Sequence, residues 1–179
     1  MNTGTSKQAR IVLLTGDGRG KTTSALGMAL RAVGHGLRVC VIQFIKQSET
    51  GEARALRLLP GVEVHVCGCG FVFPTDSGDT RSRHRAAAES GLALAREKLA
   101  DPQTAMVVLD EICGAVALGL LPSQTVLDCT RAANSGKIIV LTGRDAPQEF
   151  IDLADTVSHI NELKHGFNAN LPAQPGVEF

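Results

Sequence analysis

A glycine-rich turn between two regular segments constrains the fold of this chain more than any other feature. "RIVLLT" at residues 10–15 predicts a buried strand, and "KTTSALGMALRAVG" at residues 21–34 predicts a helix that stops at a glycine. Between them lies "TGDGRGKTT", residues 15–23. A strand, a glycine-rich turn and a helix in this order present backbone N–H groups to an anion at the helix N-terminus. The sequence therefore predicts a phosphate site inside a β–α unit.

The same alternation of apolar and helical segments continues along the chain. Further strands are predicted near residues 38–44, 62–66, 105–111, 137–143 and 156–160. Helices are predicted near residues 51–59 and 80–100, in segments up to about 133, and near 147–154. Continuous apolar strands are typical of a parallel sheet that is covered on both faces. We therefore expect an α/β fold of the P-loop NTPase type, with a mostly parallel sheet of about six strands and helices on both faces.

Length, charge and cysteine use narrow the class of protein. A chain of 179 residues is expected to form a single domain, residues 1–179, with a flexible segment at 1–9 and a C-terminal tail at 164–179. The formal net charge is zero, and no apolar run approaches the roughly 18 residues of a membrane span. We therefore expect neither nucleic acid nor membrane as a partner. Five scattered cysteines indicate reduced thiols and a cytoplasmic protein.

The phosphate loop supplies the first set of candidate site residues. The strict P-loop pattern has glycine where Thr15 stands, but position, spacing and chemistry otherwise agree. Lys21 is the predicted catalytic contact to the phosphate oxygens, and the Thr22 hydroxyl is a predicted Mg²⁺ ligand. The predicted nucleotide-binding residues are Gly16, Asp17, Gly18, Arg19, Gly20, Lys21, Thr22 and Thr23. The competing interpretation is a glycine-rich turn with an accidental Lys-Thr pair.

Two further strand ends add polar side chains to the same predicted edge of the sheet. "MVVLDE" at residues 106–111 ends in Asp110 and Glu111, and carboxylate oxygens are ligands that Mg²⁺ prefers. The carboxyl ends of parallel strands meet on the side where the phosphate loop opens. "LTGR" at residues 141–144 ends another strand there, and Arg144 is a candidate catalytic contact to phosphate. We therefore expect an ATP site with Mg²⁺ at this edge.

An aromatic pair stands in a loop where core aromatics are not expected. The chain has six Phe and neither Trp nor Tyr, yet Phe71 and Phe73 lie two apart in "GCGFVFP", residues 68–74. On composition alone, the simpler interpretation is that both rings plug an edge of the core.

Taken together, these segments resemble the P-loop ATP:corrinoid adenosyltransferases. The resemblance rests on the phosphate loop and its helix, "VIQFIK", "TGEARAL", "GCGF", "VVLDE", "LTGR", "ADTV" and the ending "KHGFNANLPAQPGVEF". It runs from about residue 11 to residue 179 and so covers almost the whole chain. It implies transfer of the 5′-deoxyadenosyl group of ATP to the cobalt(I) of a corrinoid, with release of triphosphate, in adenosylcobalamin synthesis or salvage.

The resemblance also implies roles and partners. Phe71 and Phe73 would lie against the corrin and exclude the lower axial ligand, which brings cobalt(I) within reach of cellular reductants. Phe73 stands where members of the family often carry Trp. The family implies Mg²⁺, a cytoplasmic homodimer, and an electron-donor protein such as a flavodoxin or flavin reductase. The basic run "RSRHR", residues 81–85, is either a solvated face or a contact for an acidic electron donor.

Two other classes of function remain alternatives to the adenosyltransferase. One is a P-loop ATPase or small-molecule kinase, which would release ADP rather than triphosphate. The other is a non-catalytic thiol or metal protein, because His65, Cys67 and Cys69 alternate along an extended segment. No second pair of ligands with metal-site spacing follows them, and incidental thiols are the simpler interpretation.

Overall fold

A computed structural model describes residues 9–47, 50–73 and 75–177 of the chain. The strands are β1 (Arg10–Thr15), β2 (Val39–Gln43), β3 (Val62–Val66), β4 (Met106–Asp110), β5 (Ile138–Thr142) and β6 (Thr156–His159). The helices are α1 (Lys21–Gly34), α2 (Gly51–Arg57), α3 (Gly78–Ala100), α4 (Ile112–Ala117), α5 (Ser123–Arg131) and α6 (Gln148–Leu153). A short 3₁₀ helix, Gly166–Ala169, lies in the predicted tail. Eight of the nine residues predicted to be flexible, 1–8, and the last two of the tail lie outside the described residues.

The six strands form one sheet in the order β3-β2-β4-β5-β1-β6. Each neighbouring pair runs parallel, so the predicted α/β class and parallel sheet are confirmed. In a parallel sheet all carboxyl ends point the same way. Residues 15, 43, 110 and 142 therefore lie along one edge, at the ends of four adjacent strands.

Alternation along the strands divides the core between the two faces of the sheet. Val107 and Leu109 of β4 belong to one buried cluster, while Val108 between them belongs to the other. Helices α1 and α2 pack on the second face, and α3 to α6 contribute to the first. Strands buried on both faces explain why their sequences are continuously apolar. Among the described residues, no helix combines the length and apolar character needed to cross a membrane.

The segment that follows β3 packs tightly on the segment that follows β2. We call residues 67–73 the aromatic loop. The Cys67 N–H donates to the Gln43 carbonyl oxygen at 2.9 Å, and the Gly70 N–H donates to the Ile45 carbonyl oxygen at 3.0 Å. A Cβ atom on Gly68 would lie only 2.2 Å from the Ile45 carbonyl carbon. Only a residue without a side chain allows these two backbones to approach so closely.

Alanine should have opposite effects on stability at Gly68, which is in close contact with another backbone, and at Gly27, which is open. Gly68→Ala should lower the thermal midpoint, because backbone atoms must move to admit the methyl group. Gly27→Ala is the matched control, since a Cβ at this exposed position in α1 meets nothing within 4 Å. It should raise stability by about 0.5–1 kcal/mol through the better helix propensity of alanine. Thermal unfolding measures both, and equal midpoints for the two variants would contradict the packing described.

Candidate active site

Asp110 is the centre of the polar network at the edge of the sheet. It ends β4, is fully buried, and accepts hydrogen bonds on both carboxylate oxygens. Thr22 and Thr142 each donate to Oδ1 at 2.8 Å. The Gln43 amide and the Lys46 ammonium each lie 3.0 Å from Oδ2. A buried carboxylate requires such compensation, and these contacts join the phosphate loop and the ends of β2, β4 and β5 into one unit.

Lys21 is held inside the phosphate loop, residues 16–20. Its Nζ donates to the carbonyl oxygens of Gly16 at 2.6 Å and Gly18 at 2.7 Å, and the side chain is buried. Burial lowers the pKa of Lys21 from its usual value, while the charge of Glu111 acts in the opposite direction. Gly20 precedes α1 in the left-handed conformation, which glycine adopts without strain. The loop thus directs a lysine to the N-terminus of α1, where an anion is favoured.

Two glycines of the phosphate loop are required by the chain that follows β6. The Gly18 N–H donates to the Ile160 carbonyl oxygen at 2.8 Å. A Cβ on Gly16 would lie 2.4 Å from that same oxygen, and one on Gly18 would lie 2.6 Å from the Asn161 carbonyl oxygen. The segment after β6 therefore packs directly against the phosphate loop.

The remaining predicted nucleotide residues line two open cavities beside the loop. Asp17 and Arg144 line a cavity of about 610 Å³ with residues 161–163, and Arg144 donates to the Asp17 carbonyl oxygen at 3.3 Å.

Arg19, Gly20 and Thr23 line a second cavity of about 580 Å³. The Thr23 hydroxyl lies 3.4 Å from a Glu52 carboxylate oxygen. The Arg19 guanidinium donates to the Val177 carbonyl oxygen, so the tail returns to the phosphate loop.

Glu111 occupies an unusual backbone position next to Asp110. Its φ is 63°, in the left-handed region, and it directly precedes α4. Its N–H donates to the Thr142 hydroxyl at 2.9 Å, which fixes the turn. Burial, and then the charge of Asp110, raise the pKa of Glu111 above its usual value. A residue in the left-handed region with a partly buried acidic side chain is a candidate for a functional position.

The arrangement fits a hard divalent cation. Thr22, Asp110 and Glu111 offer hydroxyl and carboxylate oxygens, the ligands that Mg²⁺ prefers. The position between two of them already attracts positive charge, because the Lys46 Nζ lies 3.0 Å from Asp110 Oδ2 and 3.3 Å from Thr22 Oγ1. Thr22, Asp110 and Glu111, which the sequence predicted as metal ligands, are thus the candidate residues to hold Mg²⁺.

Three members of the network were not among the predicted site residues. Gln43 and Thr142 are buried polar residues at the ends of otherwise apolar strands, and Lys46 follows β2 by three residues. A polar residue that ends a buried strand is a recognisable signal, because it must find a partner at the edge. The direction of the Lys46 side chain is not encoded in any such pattern.

The aromatic pair lies outside the core. Phe71 is 84% exposed and Phe73 is 58% exposed, so neither ring plugs an edge of the core. The loop is held by backbone contacts to residues 43–45 and by the Phe73 N–H, which donates to Asp76 at 2.8 Å. Two exposed rings on an anchored loop leave apolar area uncovered.

The alternation of His65, Cys67 and Cys69 does not produce a cluster of those three. Of the described residues, the group close enough to share a metal is Cys40, Glu63 and His65. Glu63 in this group is already bound by the Lys98 ammonium at 2.6 Å, which lowers the pKa of Glu63. Burial raises the pKa of Cys40 to about 12, which disfavours the thiolate that a metal requires.

The burial of Glu111 next to Asp110 predicts that its charge lowers the stability of the protein. Glu111→Gln should stabilise the nucleotide-free protein at neutral pH, because it removes a partly buried charge next to Asp110. A gain of about 1 kcal/mol corresponds to a rise of roughly 2–4 °C in the midpoint of a domain this size. Thermal unfolding without metal or nucleotide is the measurement, with Glu89→Gln, at an exposed position of α3, as control. A fall in the midpoint for Glu111→Gln alone would show that the carboxylate stabilises the fold.

Comparison with known proteins places the chain in a family. Residues 7–179 match the family described as ATP:corrinoid adenosyltransferase BtuR/CobO/CobP. A corrinoid adenosyltransferase of Pseudomonas aeruginosa is 43% identical over 178 residues, which cover 97% of this chain and 86% of that protein. The corrinoid adenosyltransferase CobA of Salmonella typhimurium is 40% identical, and that of Escherichia coli K12 is 38% identical, each over 94% of this chain and 85% of the relative. With the matching P-loop fold, these similarities show that the chain belongs to the ATP:corrinoid adenosyltransferase family.

Proposed function

We propose that this chain transfers the 5′-deoxyadenosyl group of ATP to the cobalt(I) of a corrinoid and releases triphosphate. The observation that carries the proposal is the proximity of two unlike surfaces. The start of α1, which carries the buried Lys21, and the exposed aromatic loop are joined through residues 43–46, because Lys46 contacts Thr22 and the backbone of residues 43 and 45 binds the aromatic loop. The first surface suits a triphosphate, and the second suits a flat apolar ring system.

The proposed reaction needs no nucleophile from the protein. Cobalt(I) supplies the electron pair that forms the cobalt–carbon bond, the bond between C5′ and its oxygen breaks, and the oxygen departs with triphosphate. The phosphates are thus the leaving group, and negative charge develops on them in the transition state. Lys21 and Arg144, whose side chains contact backbone carbonyl oxygens of the phosphate loop, would stabilise that charge. Mg²⁺ held by Thr22, Asp110 and Glu111 would supply further positive charge to the same oxygens.

We assign the two rings of the aromatic loop to the corrin. Phe71 and Phe73 would exclude water and the lower axial ligand from cobalt(II), which raises its reduction potential and allows one electron to produce cobalt(I). Their exposure supports this assignment, because exposed rings on an anchored loop leave apolar area for a ligand.

The partners proposed for the chain follow from the family and from surface charge. We propose a cytoplasmic homodimer that accepts its electron from a protein such as a flavodoxin or flavin reductase. Arg83 and Arg85 of α3 are exposed and suit an acidic partner, whereas His84 between them is buried. All five cysteines are free, as expected for reduced thiols.

A P-loop ATPase or small-molecule kinase is the second candidate, since the phosphate loop alone would serve either. The reaction products distinguish the adenosyltransferase from the ATPase or kinase. Incubation with ATP, Mg²⁺, a corrinoid and a chemical reductant should give triphosphate in the phosphorus NMR spectrum and an adenosylcorrinoid in the visible spectrum. ADP and inorganic phosphate, with an unchanged corrinoid, would support the alternative.

Lys21→Ala tests the phosphate loop. Loss of one charge-assisted contact to the developing negative charge should reduce turnover about 10²–10³-fold at saturating ATP. Lys164→Ala is the control, because it removes an exposed lysine from the tail. Initial rates of adenosylation measure both variants, and near-normal turnover by Lys21→Ala would reject this role for the loop.

Phe73→Ala tests the aromatic loop. The rate should fall sharply when cobalt(II) must be reduced on the protein, and much less when cobalt(I) is supplied ready-made. The midpoint of unfolding should change little, since the ring is more than half exposed and a buried Phe costs about 3–5 kcal/mol on truncation. Leu58→Ala, at a position 84% exposed on another element, is the control. Rates measured in parallel from cobalt(II) and from cobalt(I) test the assignment. Equal losses of rate from both states, with a large drop in the midpoint of unfolding, would mean that the ring serves only in packing.

A further inference from the structure

Lys46 occupies a position that the proposed function leaves unexplained. Its side chain is 26% exposed and reaches back from the end of β2 to the buried network. The ammonium lies 3.0 Å from Asp110 Oδ2 and 3.3 Å from Thr22 Oγ1. Both oxygens belong to residues proposed above to hold Mg²⁺.

An ammonium in this position excludes a divalent cation. Mg²⁺ binds oxygen ligands at about 2.0–2.1 Å, so an ion shared by Asp110 and Thr22 would take the space of the Lys46 ammonium. Two cations would then repel each other at short range beside a carboxylate that is fully buried. Lys46 and the metal are therefore alternatives at one position.

The backbone of Lys46 is in contact with the aromatic loop. A Cβ on Gly68 would lie 2.6 Å from the Lys46 carbonyl oxygen, and one on Gly70 would lie 2.8 Å from the Gln47 side-chain oxygen. The Gly70 N–H is bound to the adjacent Ile45 carbonyl oxygen at 3.0 Å. The side chain of Lys46 thus ends in the metal position, while its backbone supports the loop that carries Phe71 and Phe73.

We propose that Lys46 is a positioning residue that holds the metal position until Mg²⁺ arrives with ATP. Entry of the metal displaces the ammonium toward the triphosphate, whose negative charge attracts it. The accompanying movement of residues 45–47 shifts the aromatic loop, so nucleotide loading prepares the corrinoid surface. The identity of the metal and the nucleotide rests on the proposed function, but the competition for the position does not.

The first test is a titration of the nucleotide-free protein with Mn²⁺, followed by the EPR signal of the free ion. Lys46→Ala and Lys46→Gln should bind Mn²⁺ about 5- to 30-fold more tightly than the unmodified chain, the effect of one lost charge-assisted contact. Lys164→Ala is the control, because it removes the charge of an exposed lysine in the tail. Unchanged or weaker binding by both Lys46 variants, with the fold checked by thermal unfolding, would overturn the proposal.

The second test uses the absence of Trp and Tyr from the sequence. Phe73→Trp provides a single fluorophore in the aromatic loop, and its emission should shift when Mg²⁺ and ATP are added. The shift should disappear when Lys46→Ala is combined with Phe73→Trp, under conditions where binding of ATP is verified by calorimetry. A full shift without Lys46, or none with it, would overturn the coupling. Failure of adenosyl transfer with both results intact would overturn the proposed function instead.

Discussion

The carboxylate of Asp110 is the constraint on which the rest of the site depends. It is fully buried at the end of β4, and an ionised group in that position is tolerated only when its oxygens are compensated. The compensation comes from Thr22, Thr142, Gln43 and Lys46. The donors come from the start of α1, from the end of β5 and from residues 43–46 at the end of β2, so one side chain of β4 joins α1 to three strand ends. Loss of this alignment would separate the parts of the site without unfolding the sheet.

The same network explains how a polar site and an apolar surface lie side by side. Gln43 and Lys46 direct their side chains to Asp110, while the backbone of residues 43–46 holds the aromatic loop through close contacts at Gly68 and Gly70. The sheet order places β3 at the edge, next to β2. The aromatic loop therefore follows a strand that is two positions from β4, which ends at Asp110, and four positions from β1, which precedes the phosphate loop.

Much of this could be predicted from the sequence, for physical reasons. Continuous apolar strands and the glycine-rich turn encode local structure and burial, so the order of the strands and α-helices was predicted, with α4 and α5 only as helical segments up to about residue 133. The 3₁₀ helix in the tail was not predicted. Thr22 and Asp110 were identified because strand ends and helix starts converge in a parallel sheet. Lys46 was missed because its contacts depend on the direction of a long side chain that reaches from the segment after β2 to the end of the neighbouring strand β4. The exposure of Phe71 was likewise hidden, since composition favours burial of an aromatic ring.

The central claim is that ATP is broken at the bond between C5′ and oxygen rather than between oxygen and phosphorus. The most direct measurement uses ATP with oxygen-18 in the position that bridges C5′ and the α-phosphorus. After one round of reaction with cobalt(I) corrinoid, mass spectrometry of the phosphate products locates the label. The account predicts that all of the label leaves with triphosphate and none stays on the adenosyl group. Unlabelled phosphate together with labelled ADP would show phosphoryl transfer and contradict it.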